Sequence, residues 1–234
     1  MTRPKLGIVI PVFNEEKRIT STLKALGNFY EKCTFECCLV DDGSSDGTYQ
    51  IISQFVKTRP WACLLSTGEN LGKGAAIRLG VSRLSSDFIF FTDADIPVPL
   101  HTIERALYYL ERGSDMVIGS RMLAESQVID RSLLRKYIGL FGNFVIRLVT
   151  KLPYRDTQCG FKGFRRACAR DLFSCLTLNR YLFDVELLIL AQKKQYVVKE
   201  LPIKWNHVPD GSFKPVQDSV RAIWDLIRLA YRYN

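Results

Sequence analysis

The sequence predicts an α/β protein, a mostly parallel sheet with helices on both faces. Three observations carry that expectation. Short apolar β-type runs alternate with stretches of helical spacing through the first half of the chain, the pattern of strands joined by crossover helices. Polar clusters of Asp, Asn and Gly follow those runs, where ligands gather beyond the carboxyl ends of parallel strands. Of the 234 residues, 47% are hydrophobic and 24% charged, a globular balance that suits one sizeable domain.

Taken in order, Leu6 to Val12 is the first strand-like run. Asn14 is placed to cap a helix whose apolar positions Ile19, Leu23, Leu26 and Tyr30 have helical spacing. Phe35 to Val40 is the second strand, and Asp46-Gly47-Thr48 opens a helix with Ile51, Ile52, Phe55 and Val56 on its apolar face. Trp61 to Leu65, Phe88 to Thr92 and Met116 to Ile118 are further strands. Between them lie a helix rich in small residues, Gly72 to Leu84, and a helical stretch from Pro99 to Glu111. In the second half, Leu133 to Val149 is apolar over much of a helical circumference and has basic flanks. Tyr181 to Gln192 is helical and Val197 to Ile203 a strand. The final helix, Val216 to Tyr233, carries Arg221, Arg228 and Arg232 on one stripe, with Val220, Ile223, Ile227 and Ala230 opposite. No repeat, linker or domain boundary is visible, so residues 1–234 are expected to form one domain.

Composition narrows the classes. The seven cysteines contain no CxxC pair, and Cys37 and Cys38 sit in an apolar run. Neither a disulfide framework nor a zinc site is expected, and reduced thiols fit the cytosol. No secretory signal is expected at the start of this sequence. Tyr137 to Ile146, the longest lipophilic stretch, is about half the ~20 residues that a membrane-spanning helix needs. The formal net charge is +9, and residues 131–170 alone hold ten Lys/Arg against the single acid Asp156. Such a basic segment implies an anionic partner. No RRM, KH or helix-turn-helix signature is present, so nucleic acid is not expected.

Four polar clusters carry the chemistry. Asp93-Ala94-Asp95 closes a strand; two carboxylates there suit one hard divalent cation, Mg²⁺ or Mn²⁺, which would neutralise a diphosphate leaving group. Asp41-Asp42-Gly43-Ser44-Ser45-Asp46-Gly47 follows the second strand. Asp46 can cap the next helix, but that leaves Asp41 and Asp42 for another task, such as accepting a hydrogen bond from a nucleobase N–H. Pro11-Val12-Phe13-Asn14-Glu15 would floor the base and ribose. Asn70-Leu71-Gly72-Lys73-Gly74 joins glycines, a helix N-terminus and a lysine, which suits phosphate. It lacks the Walker spacing and GxGxxG, which excludes a P-loop ATPase and a dinucleotide dehydrogenase.

In chain order the clusters resemble the inverting GT-A glycosyltransferases of family 2, whose pattern runs P-x-x-N-E, D-D-x-S-x-D-G-T, N-x-G-K-G-x-A, D-A-D. Gly119-Ser120-Arg121, the run Asp156 to Lys162, and Phe183-Asp184-Val185-Glu186-Leu187 resemble the polyprenyl-phosphate hexosyltransferase subgroup of glucosyl and mannosyl enzymes. The resemblance implies a GT-A fold and metal-dependent, inverting transfer of a hexose from a nucleotide sugar, UDP-glucose foremost, to a polyprenyl or dolichyl phosphate. It implies a donor site lined by Pro11, Phe13, Asn14, Glu15, Asp41, Asp42, Lys73 and Ala94. Asp93 and Asp95 would hold ribose, diphosphate and metal, with Arg121 on phosphate and Lys214 closing over the diphosphate. Asp156 would lie on the acceptor side, and Arg131, Arg135, Lys162 and Arg165 would grip the acceptor phosphate. Pro97 stands where mannosyl relatives often carry a metal-ligating Gln, which favours the glucosyl branch.

The donor-binding half is expected at about 6–125 and the acceptor and membrane-interface half at about 126–234. The helix from Leu133 and the final helix would lie on an anionic membrane surface, making the protein peripheral to a cytosolic membrane face. The same apolar helix would also suit a core or an oligomer contact. A GDP-mannose donor, a saccharide or protein hydroxyl acceptor with Asp156 as base, and an inactive nucleotide-sugar binder stay open at this point.

Overall fold

The structure, a computed structural model, describes residues 5–129, 133–206 and 215–233. Its elements run β1 (Leu6–Val12), α1 (Ile19–Tyr30), β2 (Glu36–Asp41), α2 (Thr48–Lys57), β3 (Ala62–Ser66), α3 (Lys73–Arg83), β4 (Phe88–Phe91), α4 (Thr102–Glu111) and β5 (Met116–Ser120). Then follow β6 (Gln127–Ile129), α5 (Leu133–Thr150), β7 (Lys162–Arg165), α6 (Arg166–Cys175), α7 (Phe183–Lys193), β8 (Val198–Pro202), β9 (Lys204–Asn206) and α8 (Pro215–Tyr233).

The main sheet has seven strands in the order β3-β2-β1-β4-β7-β5-β8. All neighbours are parallel except β7, which runs antiparallel to both β4 and β5. This is the expected α/β architecture. Both faces are covered, so the strands read as continuous apolar runs, as buried parallel strands do. On β1, Ile8 and Ile10 point into a core shared with α1 and α4, while Val9 points into the core under α3, α6 and α7. The small residues of α3 follow from close packing: a Cβ on Gly80 would lie 2.4 Å from a Val9 methyl, so the helix sits almost on the strand.

Three expectations change. Asn14 does not cap α1, which begins five residues later behind Arg18. Its backbone is left-handed at φ 53°, its Oδ1 accepts the Ser45 N–H at 2.8 Å, and its own N–H donates to Ser44 Oγ at 2.9 Å. It ties the loop after β1 to the loop after β2. The strand β7 and helix α6 were not anticipated. The basic segment is also no single patch: Arg166 donates to the Ser85 carbonyl, Arg170 to Leu84, and Arg165 to Ser114 and Leu110. These cations satisfy carbonyls at the C-terminal ends of α3 and α4, where positive charge is favoured.

Among the described residues no helix is long and apolar enough to cross a membrane. Helices α5 and α8 touch one another, and each exposes an apolar face. On α5, Phe141, Phe144 and Leu148 are more than 60% exposed. On α8, Leu226 and Leu229 are buried, whereas Ile223, Trp224 and Ile227 are more than half exposed.

Candidate active site

The C-terminal ends of β1, β2, β4 and β5 share one edge of the sheet, and β7, being reversed, begins there. Pro11, Asp41, Asp93, Arg121 and Gly160 are thereby gathered from five separate chain segments. Three of the four polar clusters, with the motifs around Arg121 and Gly160, thus meet at one place.

The two adjacent aspartates after β2 have different tasks. Asp42 is a structural carboxylate. Its Oδ1 accepts Leu71 N at 3.0 Å and the Thr67 hydroxyl at 3.1 Å, and its Oδ2 accepts Gly72 N at 2.8 Å. Burial nevertheless raises its carboxyl above the usual range. Asp41 has Oδ2 near Ser44 N at 3.2 Å, while its Oδ1 is buried without a partner. A buried acceptor left open costs about 1–3 kcal/mol, so of the two aspartates Asp41 is the one that keeps an acceptor free.

The phosphate-friendly loop before α3 is otherwise engaged. Gly74 N and Ala75 N donate to the Asn179 carbonyl at 2.7 and 3.3 Å, so the helix N-terminus is closed by the protein's own backbone. Gly72 adopts φ 109°, and a Cβ there would sit 2.5 Å from that same carbonyl, which requires glycine. Lys73 reaches the site through Asp93, its Nζ 2.5 Å from Oδ1. Burial opposes its charge, but Asp93 and Asp184 outweigh burial and hold the ammonium above the usual lysine range.

Asp93-Ala94-Asp95 forms a turn closed by Ile96 N donating to Asp93 O at 3.0 Å. Ile96 is left-handed at φ 44°, a strained state for a β-branched residue of the kind that collects at functional sites. Thr22 on α1 donates to the Ala94 carbonyl and fixes the turn from below. Gly160 presses on Asp93: a Cβ there would meet Oδ2 at 2.0 Å. Burial and then the neighbouring Asp93 push the Asp95 carboxyl up to about 6, against the pull of Arg18. Glu15 is buried and held by Arg18, whose Nε lies 2.7 Å from Oε2. Pro11 is buried, Phe13 half-buried and Asn14 exposed along the same rim.

Across the edge, Asp156 is 1% exposed and bound to Arg121. Burial alone would raise its carboxyl, but Arg121 dominates and holds it below the usual carboxylate range. The Arg121 guanidinium is also near Asp93 and over the Trp205 ring, 5.8 Å from its centroid.

The expected acceptor grip is not assembled as anticipated. Lys162 is fully buried, 2.5 Å from Asp184 Oδ1 and 2.7 Å from the Cys159 carbonyl. It is an internal ion pair. Arg165 pairs in register with Phe88 at the opposite edge of the sheet and is tied to α4. Arg131, Lys214 and the side chain of Arg135 lie outside the described residues. Sequence reasoning missed Arg18, Trp205, Asn143 and Glu200, and gave Gly160, inside the run Asp156 to Lys162, no role of its own. A polar Asn143 within an apolar helix was the one visible signal among these.

Residues 7–173 match the Glycosyl transferase family 2 pattern, more than half of the chain. The chain belongs to that family. This family 2 protein is 34% identical over 240 residues to a dolichyl-phosphate beta-glucosyltransferase of Trichomonas vaginalis, across 97% of this chain and 71% of that one. The Saccharomyces cerevisiae dolichyl-phosphate beta-glucosyltransferase is 32% identical, across 97% and 75%. In fold it is similar to the glucosyl-3-phosphoglycerate synthase of Mycobacterium tuberculosis, solved with Mn²⁺, uridine diphosphate and phosphoglyceric acid. The TM-score is 0.70 at 17% identity, covering 97% of this chain and 78% of that one. The family 2 glycosyltransferase described here therefore has the GT-A fold.

Proposed function

We propose that this chain transfers glucose from UDP-glucose to dolichyl phosphate, with inversion at the anomeric carbon and with Mg²⁺ or Mn²⁺. The observation that carries the reading is the convergence at one sheet edge of the open Asp41 oxygen, the Asp93 and Asp95 carboxylates and the Arg121–Asp156 pair. The names of relatives at 30–34% identity, from Trichomonas vaginalis to Homo sapiens, support the sugar and the acceptor.

Asp41 accepts an N–H of the base, and Pro11 and Phe13 line the floor beside it. Asp93 and Asp95 supply hard oxygen donors to the same space, which suits a divalent cation. Among the described residues no three His, Cys, Asp or Glu side chains form a cage, so diphosphate and water would complete its shell. The cation supplies charge neutralisation at the leaving diphosphate. Arg121 and Lys73 add fixed positive charge at that edge. An acceptor phosphate oxygen attacks C1 of the glucose, the bond from C1 to the UDP oxygen breaks, and UDP leaves. That oxygen is already anionic, so no general base is needed and positioning carries the step. Asp156, engaged by Arg121, orients the arginine.

Residues of about 6–125 bind the donor and about 126–234 the acceptor and the lipid. The exposed faces of α5 and α8, with basic residues such as Arg147, Arg228 and Arg232 nearby, suit peripheral attachment to the cytosolic face of an anionic membrane. A radiolabelled assay tests the function: UDP-glucose or GDP-mannose, a polyprenyl phosphate and Mg²⁺ or Mn²⁺, with Asp95→Ala as control. Label should enter the organic phase from UDP-glucose and vanish with the variant. Hydrolysis without a lipid product would sink the acceptor assignment.

A further inference from the structure

Four successive backbone N–H groups, from Arg155 to Gln158, donate to side-chain oxygens. Arg155 N lies 3.0 Å from both Glu200 carboxylate oxygens and Asp156 N lies 3.2 Å from Oε1. Thr157 N reaches Asn143 Oδ1 at 3.2 Å, and Gln158 N reaches Asp156 Oδ1 at 3.3 Å. Asn143 does more. Its Oδ1 also accepts the Thr157 hydroxyl at 3.0 Å, and its Nδ2 donates to the Arg155 carbonyl at 2.5 Å. One amide therefore clamps the residue before Asp156 and the residue after it.

Asn143 belongs to α5. It is 8% exposed and shares the inner face with Ile146, opposite Phe141, Phe144 and Leu148. Asparagine is a poor helix former, and apolar contact alone would call for Leu or Ala at this position. Because the amide makes three hydrogen bonds to the turn, a shift of α5 against residues 155–157 would leave buried polar atoms unpaired, at about 1–3 kcal/mol each. Helix and turn move as a unit. Asp41, Asp93 and Asp95 follow other strands and take no part in the Asn143 hydrogen bonds.

We propose that Asn143 is a positioning residue that passes the seating of α5 on a lipid surface to the Asp156–Arg121 pair, setting the acceptor side of the site upon docking. This rests on the reading that α5 docks on a membrane.

The test follows hydrogen exchange across residues 155–158, with and without anionic phospholipid vesicles, in wild type and Asn143→Ala. Flotation, UDP affinity and thermal unfolding are measured beside it. Vesicles should slow exchange several-fold in the wild type. The variant should still float and bind UDP within about twofold, yet lose that response, and its kcat toward a vesicle-borne polyprenyl phosphate should fall about 10–100-fold, as for a small misplacement remote from the chemistry. Thr157→Val, which cuts only the hydroxyl bond, should weaken the response in the same direction and serves if Asn143→Ala unfolds. Unchanged exchange in vesicle-bound wild type overturns the coupling, as does a variant that keeps the response or loses UDP affinity in step with transfer. Vesicles that do not bind the wild type overturn it together with the membrane reading. Exchange is independent of turnover, so a coupled wild type that transfers nothing to polyprenyl phosphate sinks the acceptor assignment and leaves the coupling in place.

Discussion

Asp156 and Arg121 are joined by three hydrogen bonds: Arg121 N and Nε reach Oδ2 at 2.9 and 2.7 Å, and a terminal guanidinium nitrogen reaches Oδ1 at 2.9 Å. A carboxylate so engaged is a weak base and a strong brace. Asp156→Asn should therefore lower transfer by about 10–100-fold, below the upper range of about 10⁴ for a lost general base. Its pH–rate profile should run parallel to the wild type between about pH 5 and 8, since Asp156 stays ionised there. Arg121 holds the folded carboxyl below the unfolded value of about 3.9. The stability it contributes is complete above that value and is lost as pH falls through the lower folded one. Urea unfolding should show a deficit for the variant that is full at neutral pH and closes only below about pH 4. A deficit that persists in acid would refute this role.

Asp41→Asn keeps the shape of the side chain but can place a donor where the open Oδ1 now lies. UDP affinity should fall about 10–150-fold, the worth of a hydrogen bond to a charged group at about 1.5–3 kcal/mol. The urea midpoint should hold or rise. Calorimetric titration with UDP decides it, and an unaltered Kd would remove Asp41 from the base site.

Gly160→Ala drives a methyl into the Asp93 carboxylate. Transfer should drop by at least about 100-fold, in line with misplacing a positioned charge, and the metal concentration for half-maximal rate should rise. Wild-type metal dependence in the folded variant would argue that Asp93 takes no part.

Arg165→Ala should leave the KM for polyprenyl phosphate unchanged while lowering Tm by several degrees, because it frees carbonyls at the end of α4. A raised acceptor KM with unaltered Tm would restore it to the acceptor site.

Phe141→Ser with Phe144→Ser should leave Tm nearly unchanged, since both rings are more than 60% exposed. Binding to anionic vesicles should weaken about tenfold or more, as aromatic burial at about 25 cal/mol per Å² implies. Equal flotation of variant and wild type would exclude α5 from the lipid contact.

The strands β1 to β5 and the polar clusters behind them were legible because local pattern and tertiary burial agree there. The strand β7 was not. Lys162-Gly163-Phe164-Arg165 is four residues long with a charge at each end, and it becomes a strand through pairing on both sides with β4 and β5, which no window of sequence displays. Charge counting failed for a related reason: Arg165, Arg166 and Arg170 answer carbonyls far off in sequence. The motif Asp41-Asp42 named two carboxylates but could not say that one builds the loop and the other is open.

The reversal of β7 gives the proposed acceptor side its own way out of the sheet and back. Ile118 on β5 and Lys162 on β7 are direct register partners, so the whole excursion of residues 119–161, with α5 and Asp156, leaves and returns on adjacent strands. A grafted excursion of different length would need to match those two anchor points and the ties to β8, β9 and α8, while β1, β2 and β4 kept their places. One sheet could in this way serve as a fixed cartridge holder for nucleotide-sugar chemistry, with the recipient of the sugar chosen by the insert.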